Sequence, residues 1–315
     1  MNLAKAAYAV IYKNMHVKRH EKVLIITDRN KYSIGTALFL AAIKVSSSVK
    51  LITISVGRVN GEEPPSAVAR EMLGYDVILI PTSKSLSHTK ARRDATKKGA
   101  RIGTLPGITE DIFVRTMKAD YISINKLTRK ISRILNNGSH ITITTEKGTN
   151  LTMFIKGRKC MDASGIFQVK GSWGNLPDGE ACLAPMEGTT NGLLIIDGSV
   201  LGKKAEKPIE VTVKEGYAVN FTGGKLASEL KKTLKTAGKN AFAIAELGIG
   251  TNDKAIITGN TLEDEKVLGT AHIAFGNNKS YGGKIDVPIH IDGIFNRPTI
   301  LVDKKKIIEN GKLVV

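Results

Sequence analysis

The chain opens with short, unbroken apolar runs that alternate with helical stretches. Residues 21–28 (EKVLIITD) form one such run and end in a turn, and residues 33–43 (SIGTALFLAAI) carry a helical pattern, which together make a βα unit. The same order recurs at 49–56 with 66–73 and at 76–82 with 89–98, before 101–105 begins a fourth strand. Strands this apolar, set between amphipathic helices, imply a parallel sheet covered on both faces. Pro106-Gly107 breaks the pattern, and residues 111–136 read as largely helical. From His140 the texture changes. HITITTEKGTNLTMFIKG holds two alternating runs around Lys147-Gly148, a hairpin signal. Further glycine-punctuated β-runs follow, with one helical insert at 225–236. The pattern predicts an α/β parallel-sheet lobe over residues 1–130, Rossmann-like in order, followed by a mainly antiparallel α+β lobe over 131–315.

Composition narrows this picture. At 315 residues the chain is long enough for two cores, and 42% hydrophobic with 24% charged residues suits a globular protein. The absence of any run of eighteen apolar residues argues against a membrane span, and the first twenty residues read as an amphipathic helix, not a signal peptide. Two cysteines, Cys160 and Cys182, lie on separate segments. They fit a reducing, cytoplasmic setting and exclude a cysteine-based zinc site or disulfide framework. The net charge of +18 is concentrated early, with 23 Lys+Arg against 10 Asp+Glu in residues 1–130. Lys90, Arg92, Arg93, Lys97, Lys98 and Arg101 could meet phosphates. No aromatics are interleaved with them, so they read as a solvated helix face, and no specific nucleic-acid partner is expected. The turn after the first strand, TDRNKYSIG, lacks the glycine pattern that brings backbone close to a pyrophosphate, and no P-loop is present. A nucleotide cofactor is therefore not predicted.

Candidate chemistry gathers in the second lobe. Glu180 follows a Pro-Asp-Gly turn in NLPDGEACLAP, and Glu246 is the lone charge in AFAIAELGIG. An isolated carboxylate among apolar residues must be paired, neutralised or coordinated. His272 sits in GTAHIAFG, and His290 and Asp292 stand two apart in VPIHIDG, a spacing that puts both on one face of a strand while Ile291 faces away. Each residue alone has a plain structural reading as a bonded core histidine or a paired acid. Together, two imidazoles and three carboxylates suit one or two divalent cations. Lys266 reads as a surface lysine or as one that orients a carboxylate, Trp173 as a packing residue near the NLP turn, and His88, on a loop after the third strand, as a candidate cleft residue or a surface histidine.

The ordered runs NLPDGEACLAP, AIAELGIG, DEKVLGTAHIAFGNN and YGGKIDVPIHIDG resemble the motif set of the thermophilic aminopeptidases, peptidase family M29. The resemblance spans roughly residues 171–310, and SLSHTKARRDATKKGARIGTLPG in the first lobe is similar to shorter members. It implies a metallopeptidase with two adjacent divalent ions (Zn, Co, Mn or Mg), a homodimer, a peptide or small-molecule substrate, and Glu180, Glu246, His272, His290 and Asp292 as ligands. Glu180 would be a ligand or the general base. Two positions depart from that family. Gly179 stands at the first of two positions that are usually both acidic, so that only Glu180 remains, and Lys279 replaces the catalytic tyrosine, leaving Tyr281 as the nearest substitute donor to an oxyanion. These departures and the short chain resemble a branch that includes 2,5-dihydroxypyridine dioxygenase, which implies one Fe(II), a chemistry that the set His272, His290 and Asp292 would also suit. The aminopeptidase is the leading expectation and the dioxygenase its alternative. A polyanion-binding protein is a third.

Overall fold

The computed structural model describes residues 2–315. By its internal packing the chain forms two compact units. One runs to Ile122 and takes in Ser164–Asp178; the other comprises Ser123–Ala163 and Gly179–Val315. The sequence pattern places a single division near residue 130, whereas the packing sends a short segment from the second half of the chain back to the first unit.

The first unit is built on five parallel strands. Lys22–Asp28 is flanked by Ser48–Ile54 on one side and Val77–Ile80 on the other, and Arg101–Thr104 and Trp173–Asn175 continue the sheet outward. Val23, Leu24, Ile25 and Ile26 are all buried, so successive side chains pack on both faces, as the unbroken apolar runs require. The helix Lys90–Lys97 starts at Thr89, whose side chain accepts from Arg92 N and so satisfies one of the helix's free N–H groups. Two members of the basic cluster depart from the solvated face read from the sequence. Arg92 is buried with its guanidinium 3.5 Å over the Trp173 ring, a cation–π contact. Arg101 is buried and gives two parallel hydrogen bonds, of 2.8 and 2.9 Å, to Glu21. The helical period shows which way Arg92 points along its helix, but not that Trp173, 81 residues later, will cover it. Trp173 is a packing residue, as its sequence surroundings suggest. Lys90, Arg93, Lys97 and Lys98 are exposed.

The second unit holds two antiparallel sheets. An eight-stranded sheet begins with the predicted hairpin His140–Thr144 and Asn150–Phe154, and a seven-stranded sheet contains Glu180–Leu183, Ile244–Gly250, Thr270–Gly276 and His290–Asn296 as adjacent strands. Period-two alternation gives the seven-stranded sheet two unlike faces. Ala181, Leu183, Leu247, Ile249, Ala271, Ile273, Phe275 and Phe295 belong to one apolar cluster with Ile141, Ile143, Leu151, Met153, Leu194 and Ile196 of the eight-stranded sheet, and the helix Lys225–Thr236 adds Leu230 and Leu234. The intervening residues Glu180, Cys182, Glu246, Gly248, His272, Asp292 and His290 share the other face. The register shift between Ile244 and Glu246 makes this possible. Ile244 joins the apolar cluster, and without the extra residue Glu246 would follow it there. Among the described residues no helix is long and apolar enough to cross a membrane.

Candidate metal centre

Four adjacent strands of the seven-stranded sheet present the five acids and histidines singled out in the sequence, and the fold brings all five together. His272 Nε2 lies 3.6 Å from both Glu180 Oε2 and Glu246 Oε1. His290 Nε2 lies 2.9 Å from Glu246 Oε2 and 3.2 Å from Asp292 Oδ1. Ligand atoms of Glu246, His272 and Asp292 all fall within 4.8 Å of one another, and the same holds for Glu180, Glu265 and His272 and for Glu180, Cys182 and Glu246. Yet Glu180 Oε2, Glu246 Oε2, His272 Nδ1 and His290 Nε2 are buried without a hydrogen-bond partner. Buried polar atoms are seldom left so, and donors crowded this closely without hydrogen-bond geometry fit a cation held among them.

Neighbouring groups fix the orientation of each donor. His290 Nδ1 is 2.7 Å from the carbonyl oxygen of Asn277. That carbonyl accepts a hydrogen bond from Nδ1–H, which keeps the proton on Nδ1 and, in the neutral ring, turns the Nε2 lone pair toward the acids, the tautomer a metal-binding imidazole needs. His272 is confined by Gly248, its cross-strand partner. A Cβ at Gly248 would stand 2.1 Å from His272 Cε1 and 2.2 Å from Nε2, so the imidazole fills the space a side chain would take. Gly179 also has a conformational cause. Its φ of +134° disfavours any L side chain, and a Cβ would meet Asn252 at 3.0 Å, so the acid found at that position in the aminopeptidases would be strained here.

Charge in the site is strongly coupled. Burial opposes ionisation of Glu246, but contacts with His272 and His290 outweigh it and hold the carboxyl well below the usual range. Burial likewise opposes protonation of His272, and the surrounding Glu246, Glu180 and Asp292 raise it to about 9. His290 is raised by Asp292 and Glu246 against the same burial, and Asp292 is correspondingly lowered. Without a cation the site is an ion-paired cluster of carboxylates and imidazoliums.

Of the two readings of Lys266, the surface lysine is the one the structure corrects. It is not at the surface but 1% exposed, with Nζ 2.5 Å from Glu180 Oε1 and 2.7 Å from Glu265 Oε1. The run EDEK looks like a solvated acidic patch, and only the fold turns the lysine inward. Glu265, missed in the sequence for the same reason, is raised to about 8 by burial and the charges of Glu180 and Asp292, with Lys266 opposing. Cys182, set aside in the sequence because two lone cysteines make no zinc cluster, stands two residues from Glu180 on the same strand face, and strand pairing brings Glu246 near both. Tyr281 stacks on the His290 ring at 5.0 Å and 21°. Burial and the nearby charges of Glu246, Cys182, Asp292 and Glu180 raise its hydroxyl well above the ordinary tyrosine value, so it stays protonated and can donate. Lys279, which occupies the tyrosine's place in the aminopeptidase pattern, is exposed and pairs with Asp286 at 2.5 Å. His88 is on an exposed loop of the first unit, edge-on to Trp173, whereas the converging donors all belong to the second.

The profile of the 2,5-dihydroxypyridine 5,6-dioxygenase family, NicX, matches residues 4–315. The chain belongs to this family of enzymes. Its fold is similar to that of the 2,5-dihydroxypyridine dioxygenase from Pseudomonas putida KT2440, with a TM-score of 0.86 at 17% identity over 99% of this chain and 97% of the other. It is also similar to wild-type AmpT from Thermus thermophilus, with a TM-score of 0.73 at 16% identity over 100% of this chain and 99% of the other. Both branches that the sequence motifs resemble are thus represented. A search of curated proteins returns no match.

Proposed function

We propose that the chain is an Fe(II)-dependent ring-cleaving dioxygenase acting on a dihydroxypyridine or a closely related electron-rich diol. The observation that carries this reading is the convergence of two imidazoles and a carboxylate, His272, His290 and Asp292, around Glu246. Two histidines and one carboxylate that leave positions open are the set used by non-haem iron oxygenases, and membership of the dioxygenase family supports it. His272, His290 and Asp292 would hold the iron, which would supply the activation of dioxygen and of the diol. The chain's own residues do the rest. The Asn277 carbonyl orients His290, Gly248 leaves room for His272, and Lys266 holds Glu180. Tyr281, protonated and stacked on His290, is placed to donate a hydrogen bond to a bound oxyanion.

A metal-dependent aminopeptidase is the second reading. It is favoured by the further groups Glu180–Glu265–His272 and Glu180–Cys182–Glu246, which offer donors for a second ion, with Glu180 as ligand or general base for a metal-bound water. One experiment separates the two. Protein loaded anaerobically with Fe(II) is given 2,5-dihydroxypyridine and air in an oxygen electrode, and protein loaded with Zn, Co or Mn is given aminoacyl amides. Oxygen uptake matched to loss of the ring absorbance supports the dioxygenase. Hydrolysis of the amides with no oxygen uptake refutes it.

A further inference from the structure

Cys182 stands on the metal-facing side of its strand. Glu180 and Cys182 are two apart on Glu180–Leu183, so they point the same way, while Ala181 and Leu183 join the apolar cluster behind. In register, Cys182 is opposite Gly248, and Gly248 is opposite His272. The middle position of that row has no side chain, so nothing rises between the thiol and the imidazole that leans over the glycine. The sulfur lies within 4.8 Å of carboxylate oxygens of both Glu180 and Glu246, close to the span a cation can bridge with bonds of roughly 2.0–2.3 Å to oxygen and sulfur. Glu180 Oε2 is buried without a hydrogen-bond partner, an independent sign of an unmet cation on this side, whereas Glu246 Oε2 faces His290. The other cysteine is situated differently. Cys160 Sγ donates to Ser132 Oγ at 3.4 Å and belongs to none of the metal-capable groups.

We propose that Cys182 Sγ is a donor atom of the metal centre, giving its Glu180–Glu246 side a soft ligand that the His272, His290 and Asp292 side lacks. As the sulfur–metal bond forms, the S–H bond breaks and its proton passes to solvent. The thiolate thus neutralises one unit of the cation's charge. Softness biases the site toward thiophilic ions such as Cd(II), Zn(II) and Co(II) over Mn(II). The inference rests on the metal-centre reading, and the test is arranged to tell the two apart.

The metal-free protein is titrated with Co(II), bound cobalt is counted by elemental analysis, and the near-ultraviolet and visible spectra are recorded. One cobalt or more per chain, with a sulfur-to-cobalt charge-transfer band in the parent and in Cys160→Ser but absent from Cys182→Ser and Cys182→Ala, is the result expected. Circular dichroism and thermal melting establish that each variant is folded. In competition titrations Cys182→Ser should also lose Cd(II) affinity relative to Mn(II) by roughly 10- to 100-fold, the range that altering a metal's surroundings commonly costs. Stoichiometric cobalt with no such band in the parent overturns the proposal and leaves the metal centre standing, as does a band that survives in both Cys182 variants. No cobalt bound to the folded parent overturns the metal centre itself and the thiolate with it.

Discussion

The tightest constraint in the site is the contact between Gly248 and His272, and Gly248→Ala tests it with a single methyl group. The added carbon would stand 2.1 Å from Cε1, 2.2 Å from Nε2 and 3.0 Å from Nδ1 of the ring, where ordinary contact begins at 3.4 Å. The ring must therefore move by about 1.3 Å, since repulsion rises steeply inside contact distance. Gly248 is not among the positions with positive φ, so an alanine meets no backbone penalty and the effect falls on the imidazole. Crowding a packed interior by one methyl costs about 1–3 kcal/mol. A metal site tolerates only about 0.5 Å of displacement in its donors, so affinity should fall by roughly 100-fold or more, above the usual effect of altering a supporting residue. The assay is calorimetric titration with Co(II) or Mn(II), beside thermal unfolding. The control is Gly174→Ala in the first unit, where the new carbon meets the Phe167 ring at 2.7 Å; that variant should melt earlier yet bind metal normally. If Gly248→Ala binds metal as the parent does, the His272 ring is not a ligand, and its place over the glycine is packing only.

Four further outcomes are expected. Lys266→Met leaves Glu180 and Glu265 without their shared cation and should destabilise the second unit by about 3–5 kcal/mol in chemical denaturation; adding Glu180→Gln should recover part of the loss, and no loss at all would show that the lysine is dispensable. Metal affinity should rise with pH from neutrality through the His272 value of about 9, because the ion must displace protons from His272 and from His290, which is also raised; a flat profile over that range would contradict the ligand assignment. Glu21 is lowered in the fold, where burial is outweighed by its bonds to Arg101 and Lys18. Its contribution is therefore complete above the unfolded carboxyl range and lost as pH falls through the lower folded value, so the stability gap between parent and Glu21→Gln should close in acid, and a gap that persists there would refute the linkage. Asp292→Asn should abolish turnover of whichever substrate the parent accepts, whereas Ile291→Val, on the apolar side, should cost about 0.5–1.5 kcal/mol and little activity; equal rates from Asp292→Asn and the parent would return His290 and Asp292 to a plain hydrogen-bonded pair.

What could be read in advance was whatever depends on local period. The unbroken runs around Leu24 and Ile78 marked a sheet buried on both faces, and the alternation around His290 placed Asp292 beside it and Ile291 behind. The lone charge at Glu246 signalled a partner because isolation in an apolar strand is costly wherever that strand goes. Other features depend on pairings between distant strands and left no local trace. Lys266 sits in a run of acids that looks solvated, yet the fold buries it between one of them, Glu265, and the distant Glu180. Cys182 shares a face with Glu180 by local alternation, but it meets Glu246 and His272 only through the pairing of distant strands. Arg92 and Arg101 belong to a helix and strand whose exposure changes once Trp173 and Glu21 cover them.

The placement of Ser164–Asp178 in the first unit bears on how the protein is made. The fifth strand of the parallel sheet, Trp173–Asn175, pairs with Arg101–Thr104, so a ribosome that has released only the first 122 residues has delivered an unfinished sheet edge, with Arg92 lacking its aromatic cover. At roughly 5–20 residues per second that edge waits several seconds, open to pairing with another chain, while forty residues destined for the other unit emerge ahead of it. No single cut in the chain yields both units whole. Their synthesis is interleaved, and a truncation meant to isolate the first unit would have to carry its late strand along by a linker or a permuted terminus.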